Sequence, residues 1–599
     1  MKQFLLVLIL FVLTIPVKAQ WSSDPHENLQ LVLDEKAPQG WETEMLSDGS
    51  TVIYYTYSER MFIGDDTAFA MKHYLFRCDK DGKAVWDEPF LVSHAPNRTF
   101  TMVNKYLSVD ANDNILISIP DTRYDTFGLR YGDEWKWWDM NVTCYKVSKD
   151  GEHLWGAEGV SVDKTPYELL ALVNSTTLDN GDAIVCNVQQ ESFGMHTQIT
   201  RISSDGNVVW SKPLLINGTP SGSYPTVING GNNEFIVVYL YGSGIYAQKF
   251  DILGDEVWPH TAVYSKGGLA SSPAQGWLRV MPLERGAFVS FAADPDGDKI
   301  ESPYCSYINR DGQLVFLDGV DGTRLCYKQG LRGGGPECVY DKASNSVYCV
   351  WREFEPNYQS LQRIAAQRVS LTGELIWDAE GVEIAPLVPR FADYQNVQMG
   401  EDGKVLFSYL EQTNGQKDYA GYARYRSIEH GDSIWDTRFT WISQDDGLGY
   451  VYNKASLKML PYKNGQWVTL WDDSRPGSGF TYSYIWGQNI NSDGTLGVKA
   501  DTSSAIENVV KTEVAKSFRV TANPIDNATS FVVENMRGKK AEISILNAMG
   551  KKVSTVFDGI ILNDSQNVSW TVPAGISKGL YVAILTGGNR TETIKLIVK

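Results

Sequence analysis

The sequence predicts an all-β protein, a body of tandem four-stranded repeats followed by a smaller β domain with a different strand grammar. Three observations predict it. A turn with an aromatic four residues after a glycine keeps returning, a hairpin of β-branched and aromatic residues precedes each copy, and both patterns stop before Phe518.

The recurring turn reads Asp81-Gly82 with Trp86, Gly151 with Trp155, Asp205-Gly206 with Trp210, and Gly254 with Trp258. It continues as Asp311-Gly312 with Phe316, Gly373 with Trp377, Gly431 with Trp435, and Asp493-Gly494 with a degenerate Leu496. A phrase returning every 50–70 residues or so marks a repeat architecture. The preceding hairpins span Glu44 to Tyr57, Tyr106 to Ile119, Leu170 to Val188, Pro225 to Leu240, Trp277 to Ala292, Glu337 to Trp351, Asn396 to Leu410 and Leu457 to Trp471. Most bend at Gly, Asn or Asp, as in Asn180-Gly181-Asp182, between runs such as Ile236-Val237-Val238-Tyr239. Turn residues between such runs are hairpin signals.

Each repeat therefore reads as strands A, B, C and D, with the aromatic on D. Repeated four-stranded sheets predict a β-propeller over residues 20–499, with eight blades and seven as the alternative. Its body resembles the propeller repeats of secreted bacterial proteins. Leu29 to Leu33 reads as a spare D-type strand that completes the last sheet and closes the ring. The repeated aromatic is expected to wedge between neighbouring sheets. Ser203 to Trp210 resembles the Asp box of sialidase-like propellers with its glycine one position early; that motif is structural and implies no catalytic residue.

Composition narrows the function classes. The chain is 43% hydrophobic and 21% charged, as in globular proteins, and carries 18 Trp and 31 Tyr. A net charge of −18 argues against nucleic acid or anionic membranes as partners. Lys2, the apolar run Leu5 to Val17 and Val17-Lys18-Ala19 before Gln20 read as a signal peptide over residues 1–19. The run is shorter than the roughly 20 residues of a spanning helix, and no later stretch qualifies. Seven cysteines have no C-x-x-C spacing. They are expected to be buried small hydrophobes or a disulfide framework, with pairing among Cys305, Cys326, Cys338 and Cys349.

The alternating path puts A–B and C–D turns on one rim and B–C loops on the other, so ligands are expected on the B–C rim. The longest B–C loop, Asp121 to Met140, carries Arg123, Tyr124, Tyr131, Trp135, Trp137 and Trp138. Aromatic rings stack on the C–H faces of sugars while charged groups take the hydroxyls. These six are the expected ligand-binding residues; the alternative is a loop that buries its rings on the body or on a partner protein. Asp294, Asp296 and Asp298 are spaced like the start of a calcium loop. Lys299 and Tyr307 stand where that loop needs Gly and Glu, so an acidic turn is the competing reading, and calcium is the only cofactor expected. Glu353, Glu355, Asp472 and Asp473 end two B strands beside Trp and Arg. Paired carboxylates serve glycoside hydrolysis, whereas inter-blade ion pairs are the structural alternative. No metal-type His spacing, nucleophile elbow or P-loop is present.

Residues 500–516 read as a linker, and residues 517–599 as a small β-sandwich of alternating apolar strands. Asn523-Pro524, Ile545-Leu546-Asn547-Ala548-Met549-Gly550-Lys551, Gly579-Leu580-Tyr581-Val582 and the terminal Thr593 to Lys599 resemble the type A C-terminal sorting domain of the Bacteroidetes type IX secretion system. That resemblance implies secretion machinery of the outer membrane as a partner, and a body released or attached to the cell surface. The function expected is a secreted or surface propeller that binds a glycan or a protein. The alternatives are a glycan-active hydrolase or lyase using loop carboxylates, and a structural or adhesive surface protein.

Overall fold

The computed structural model describes residues 20–32, 38, 40–63, 66–94, 106–121, 123, 141–162, 170–191, 194–270, 278–356, 361–389, 392–412, 419–426, 439–444, 454–473, 484–499, 518–534, 536–547, 551–587 and 590–599. The expected signal peptide, the expected linker, most of the Trp-rich loop and the turn at Gly431 lie outside these residues. Two compact units divide the chain, residues 1–499 and 500–599.

The first unit is a series of antiparallel sheets taken up in chain order. Sheet 1 holds strands Gly40–Met45, Thr51–Ile63, Asp66–Cys78 and Phe90–Leu91; sheet 2 holds Tyr106–Val109, Ile115–Asp121, Asn141–Val147 and Val160–Ser161. Sheet 3 runs from Leu170–Thr177 to Val208–Pro213, sheet 4 from Ser223–Gly231 to Glu256–Tyr264, and sheet 5 from Arg279–Leu283 to Thr323–Arg324. Sheet 6 runs from Arg332–Gly333 and Glu337–Asp341 to Val382–Val388, and sheet 7 from Ala392–Met399 to Thr440–Ser443. Sheet 8 contains Lys454–Met459, Gln466–Asp473 and Tyr484–Asn491, and its fourth strand comes from the other end of the unit: Leu29 pairs with Gly487 and Gln30 with Trp486. The expected closing strand is therefore present.

An apolar cluster fills the seam between each pair of successive sheets. In the second strand of sheet 4, Ile236 and Val238 pack towards Val289 and Phe291 of sheet 5, while Phe235, Val237 and Tyr239 pack towards Ile184 and Cys186 of sheet 3. Alternate side chains point to opposite faces, and here both faces are buried, so the strand is apolar throughout. The last seam joins Leu460, Val468 and Ile485 of sheet 8 to Trp41, Ile53 and Tyr55 of sheet 1, which closes the circuit.

The recurring turn owes its glycine to the aromatic of the preceding sheet. Gly206 has φ +88°, and a Cβ there would lie 2.8 Å from Trp155. The same approach recurs at Gly254 on Trp210, Gly312 on Trp258 and Gly373 on Phe316. The indole N–H groups of Trp155, Trp210 and Trp258 donate to the carbonyls of Ser204, Ile252 and Arg310, two residues before the glycine they cover. Trp21, ahead of every repeat, covers Gly82 in the same way and donates to the Lys80 carbonyl at 2.8 Å. It fills the position that Leu496 leaves without an aromatic.

Two expectations need correction. Among the described residues the aromatic lies within the fourth strand only in sheets 3 and 4; Trp86, Trp155 and Phe316 precede a two-residue fourth strand, and Trp377 precedes the longer Val382–Val388. The B–C connections are not all long: in sheets 1, 3 and 4 only two residues lie between the strand ends, Ile63 and Asp66, Glu191 and Gly194, and Tyr241 and Gly244.

In the second unit one sheet orders Phe518–Val520, Ala528–Glu534 and Ser565–Thr571, and another orders Lys552–Ile560, Lys540–Asn547, Gly579–Gly587 and Arg590–Val598. Their alternating apolar residues share one core: Phe531, Val533 and Trp570 from the first, Ile543, Ile545, Ala583 and Leu585 from the second.

Candidate functional site

The first strands of sheets 1, 5, 6, 7 and 8, with the end of the second strand of sheet 6, line a cavity of about 790 Å³. A first strand has one edge without a strand partner in its own sheet, and its side chains at this edge are polar. In sheet 1 Trp41 and Thr43 are buried while Glu42 and Glu44 alternate with them on the cavity wall.

Ion pairs across the seams hold this wall. Arg279 Nε of sheet 5 donates to Glu337 Oε1 of sheet 6 at 2.6 Å. Arg352 of sheet 6 pairs with Asp393 of sheet 7. Lys458 of sheet 8 donates to Glu42 Oε2 of sheet 1 at 2.5 Å and lies 4.7 Å from the centre of the Trp41 ring. The Trp41 indole donates in turn to Asp472 at 2.5 Å. Between sheets 7 and 8, Asn396 donates to the Leu457 carbonyl.

Glu44 stands apart. It forms no ion pair among the described residues, and the backbone of Met45 is its hydrogen-bond partner. Its desolvation in the cavity wall, with the Glu42 charge as a second cause, pushes its carboxyl up to about 7, against the pull of Lys458. Desolvation also raises Asp393, and Arg352 opposes it. Tyr394 is raised by desolvation and then by the charges of Asp393 and Asp472. A carboxyl poised near neutrality in a concave site is where acid–base chemistry is sought.

Local backbone geometry brings two of these side chains into place. The pairing register slips between Asp393 and Asn396 in sheet 7 and between Ala455 and Lys458 in sheet 8. In each slip a residue takes positive φ, Tyr394 at 55° and Ser456 at 56°, and both line the cavity. Bulges re-aim side chains and recur beside functional sites, and a non-glycine residue held at positive φ carries a conformational cost of ~1–3 kcal/mol.

The carboxylates proposed from sequence separate into two groups. Glu353 is 2% exposed, accepts from the Trp351 indole at 2.8 Å, and pairs with Arg363 at 2.5 Å in its own sheet. Asp473 is wholly buried, accepting from the Trp471 indole with Lys454 3.9 Å away. These two serve the interior, through pairs within one sheet instead of the inter-sheet pairs expected. Asp472 lies half-buried beside the cavity wall, raised by desolvation. The Glu355 amide donates to the Leu361 carbonyl across the following loop.

Of the six expected ligand-binding residues in the Trp-rich loop, only Arg123 is among the described residues. It donates to the Glu158 carbonyl and to the Tyr145 hydroxyl, each at 2.6 Å, and so anchors the base of the loop. Tyr124, Tyr131, Trp135, Trp137 and Trp138 lie outside the described residues. Ligand oxygens of Asp294, Asp296 and Asp298 lie within 4.8 Å of one another. The Asp294 carboxylate accepts the amides of Gly297, Asp298 and Lys299, which accounts for its position without an ion.

Sequence reasoning missed Glu44, Arg279, Glu337, Arg352, Asp393, Tyr394 and Lys458 as one site. The available signal was charge at alternate positions of first strands, as in Trp41-Glu42-Thr43-Glu44, where the second strands are apolar.

No protein-family model matches the sequence, and no curated protein matches it. Among solved structures the chain is similar to a polysaccharide lyase, an ulvan lyase bound to -[GlcA(1-4)Rha3S]-, at 10% identity and a TM-score of 0.39, over 80% of this chain and 98% of that one. It is also similar to a protein of unknown function from Dyadobacter fermentans, at 9% identity and a TM-score of 0.32, over 66% and 94%. A third similarity is to the endo-arabinase of Bacteroides thetaiotaomicron, at 12% identity and a TM-score of 0.24, over 46% and 94%.

Proposed function

We propose that the protein is an exported eight-bladed β-propeller that binds a hydroxyl-rich, neutral or cationic saccharide in its cavity. The circuit of apolar seams supports the ring. The observation that carries the ligand class is the charge pattern of the wall. Among the described lining residues each of the three cations, Arg279, Arg352 and Lys458, is already paired with a carboxylate, and Glu44 is left over. A polyanionic glycan would have to displace a carboxylate from each cation it used, whereas sugar hydroxyls can bridge paired charges and donate to Glu44. The cavity is also within the ~300–1,000 Å³ of ligand sites.

Binding of the mature chain to an array of neutral, amino and acidic oligosaccharides tests this reading. Neutral or amino sugars are expected to bind, and Tyr394→Ala with Glu44→Gln to weaken binding at least ~10-fold, the loss of about 1.4 kcal/mol. Binding abolished only by Trp135, Trp137 and Trp138→Ala would move the site to the loop; preference for acidic glycans would overturn the ligand class. Glycan cleavage is a second reading, favoured by the Glu44 carboxyl at about 7. Release of new reducing ends, lost in Glu44→Gln, would establish it.

The second unit, in this proposal, is a β-sandwich that directs export across the outer membrane. Its support is the sequence motif together with the shared core of its two sheets. Removal of residues 518–599 is expected to strand the body in the periplasm. Normal surface levels of the truncated protein would defeat the assignment.

A further inference from the structure

The seven cysteines are not equivalent. Cys78, Cys144, Cys186 and Cys305 are wholly buried among apolar side chains, and Cys326 turns its thiol to the Glu380 carbonyl. Cys338 and Cys349 differ from all of these. They are direct partners in the antiparallel pairing of the first and second strands of sheet 6, with sulfurs 3.1 Å apart. Residues opposite one another in such a pair have Cα atoms about 4.5–5.5 Å apart, inside the ~4.4–6.8 Å that a disulfide spans. We propose that Cys338 and Cys349 are a disulfide site, oxidised once the chain enters an oxidising compartment.

Accessibility sets the order of the chemistry. Cys338 is half-buried and Cys349 wholly buried, so Cys338 meets the oxidant first. Its thiolate attacks one sulfur of a small or protein disulfide, and a mixed disulfide forms as one thiolate leaves. The Cys349 sulfur, losing its proton, then attacks Cys338 and expels the second thiolate. Two protein thiols have lost two electrons and two protons, and the oxidant has become two thiols. One pair among seven cysteines leaves five thiols, all of them buried.

The bond would fasten a weak part of the cavity wall. Glu337–Asp341 is a short strand, separated from Arg332–Gly333 by Gly334-Gly335-Pro336, and its Glu337 holds Arg279 across the seam. A cross-link at the next residue fixes this strand to the one that carries Arg352. This proposal rests on strand register and is independent of the saccharide reading.

The test treats the mature full-length chain with oxidised glutathione, removes excess reagent, and alkylates under denaturing conditions. Five of the seven cysteines are expected to label, peptide mapping is expected to join Cys338 to Cys349, and reduction is expected to lower the thermal midpoint by several degrees. Cys338→Ser should match the reduced protein and show no response to oxidant. Seven labelled cysteines, or a link through Cys305 or Cys326, would overturn the proposal.

Discussion

The outer turns and the cavity wall are built from the same repeats under opposite rules. Along the outer turns one contact recurs, an aromatic of one sheet on the glycine of the next, with the indole N–H bound to a carbonyl two residues earlier. Along the cavity the ion pairs do not recur: Arg279–Glu337, Arg352–Asp393 and Lys458–Glu42 differ in residue type and position at each seam, and Glu44 forms no ion pair among the described residues. What the ring needs at every seam is repeated; what differs from seam to seam is available for a task performed once.

The largest expected effect tests the repeated contact. Trp155→Ala empties the space against Gly206 and is expected to cost ~3–5 kcal/mol, as for large buried aromatics. Trp21→Ala is expected to cost a comparable amount, measured by denaturant unfolding. An unmoved midpoint for Trp21→Ala would mean that the ring closes by strand pairing alone and that the equivalence with the internal tryptophans fails.

A smaller effect tests the singular part. In the native protein Glu44 holds its proton up to about pH 7, against an ordinary value of 4.5. The folded state therefore binds the proton more tightly than the unfolded one, and stability falls as pH rises through that window. Glu44→Gln is expected to match the parent at pH 4.5 and to be more stable by roughly 1–3 kcal/mol at pH 8. A constant difference across this range would show that Glu44 is solvated like a surface carboxylate and would weaken its role in the cavity.

The repeat was legible because its signals are local. A glycine turn, an aromatic four residues on and a hairpin before it lie within one stretch of chain, and each follows from backbone sterics or strand pleating. Even the degenerate Leu496 was visible, although its replacement by Trp21 was not, since the two lie 475 positions apart. Glu353 and Asp473 stood as candidate acids beside the ion-pair reading for the same local reason, Trp and charge side by side. The folded chain buries both with a cation from the neighbouring strand.

Taken alone, the sequence determined that the chain is all-β, that its body repeats, that Leu29 onward supplies a closing strand, and that strands of a different grammar follow from Phe518, because strand period and turn chemistry are properties of adjacent residues. Only the tertiary structure decided which charges meet. Glu44, Arg279, Arg352, Asp393 and Lys458 come from five sheets and converge because the fold brings strands of sheets 1, 5, 6, 7 and 8 around one cavity. Whether a carboxylate there is paired or left to be pushed towards neutrality depends on neighbours that no short stretch of sequence contains.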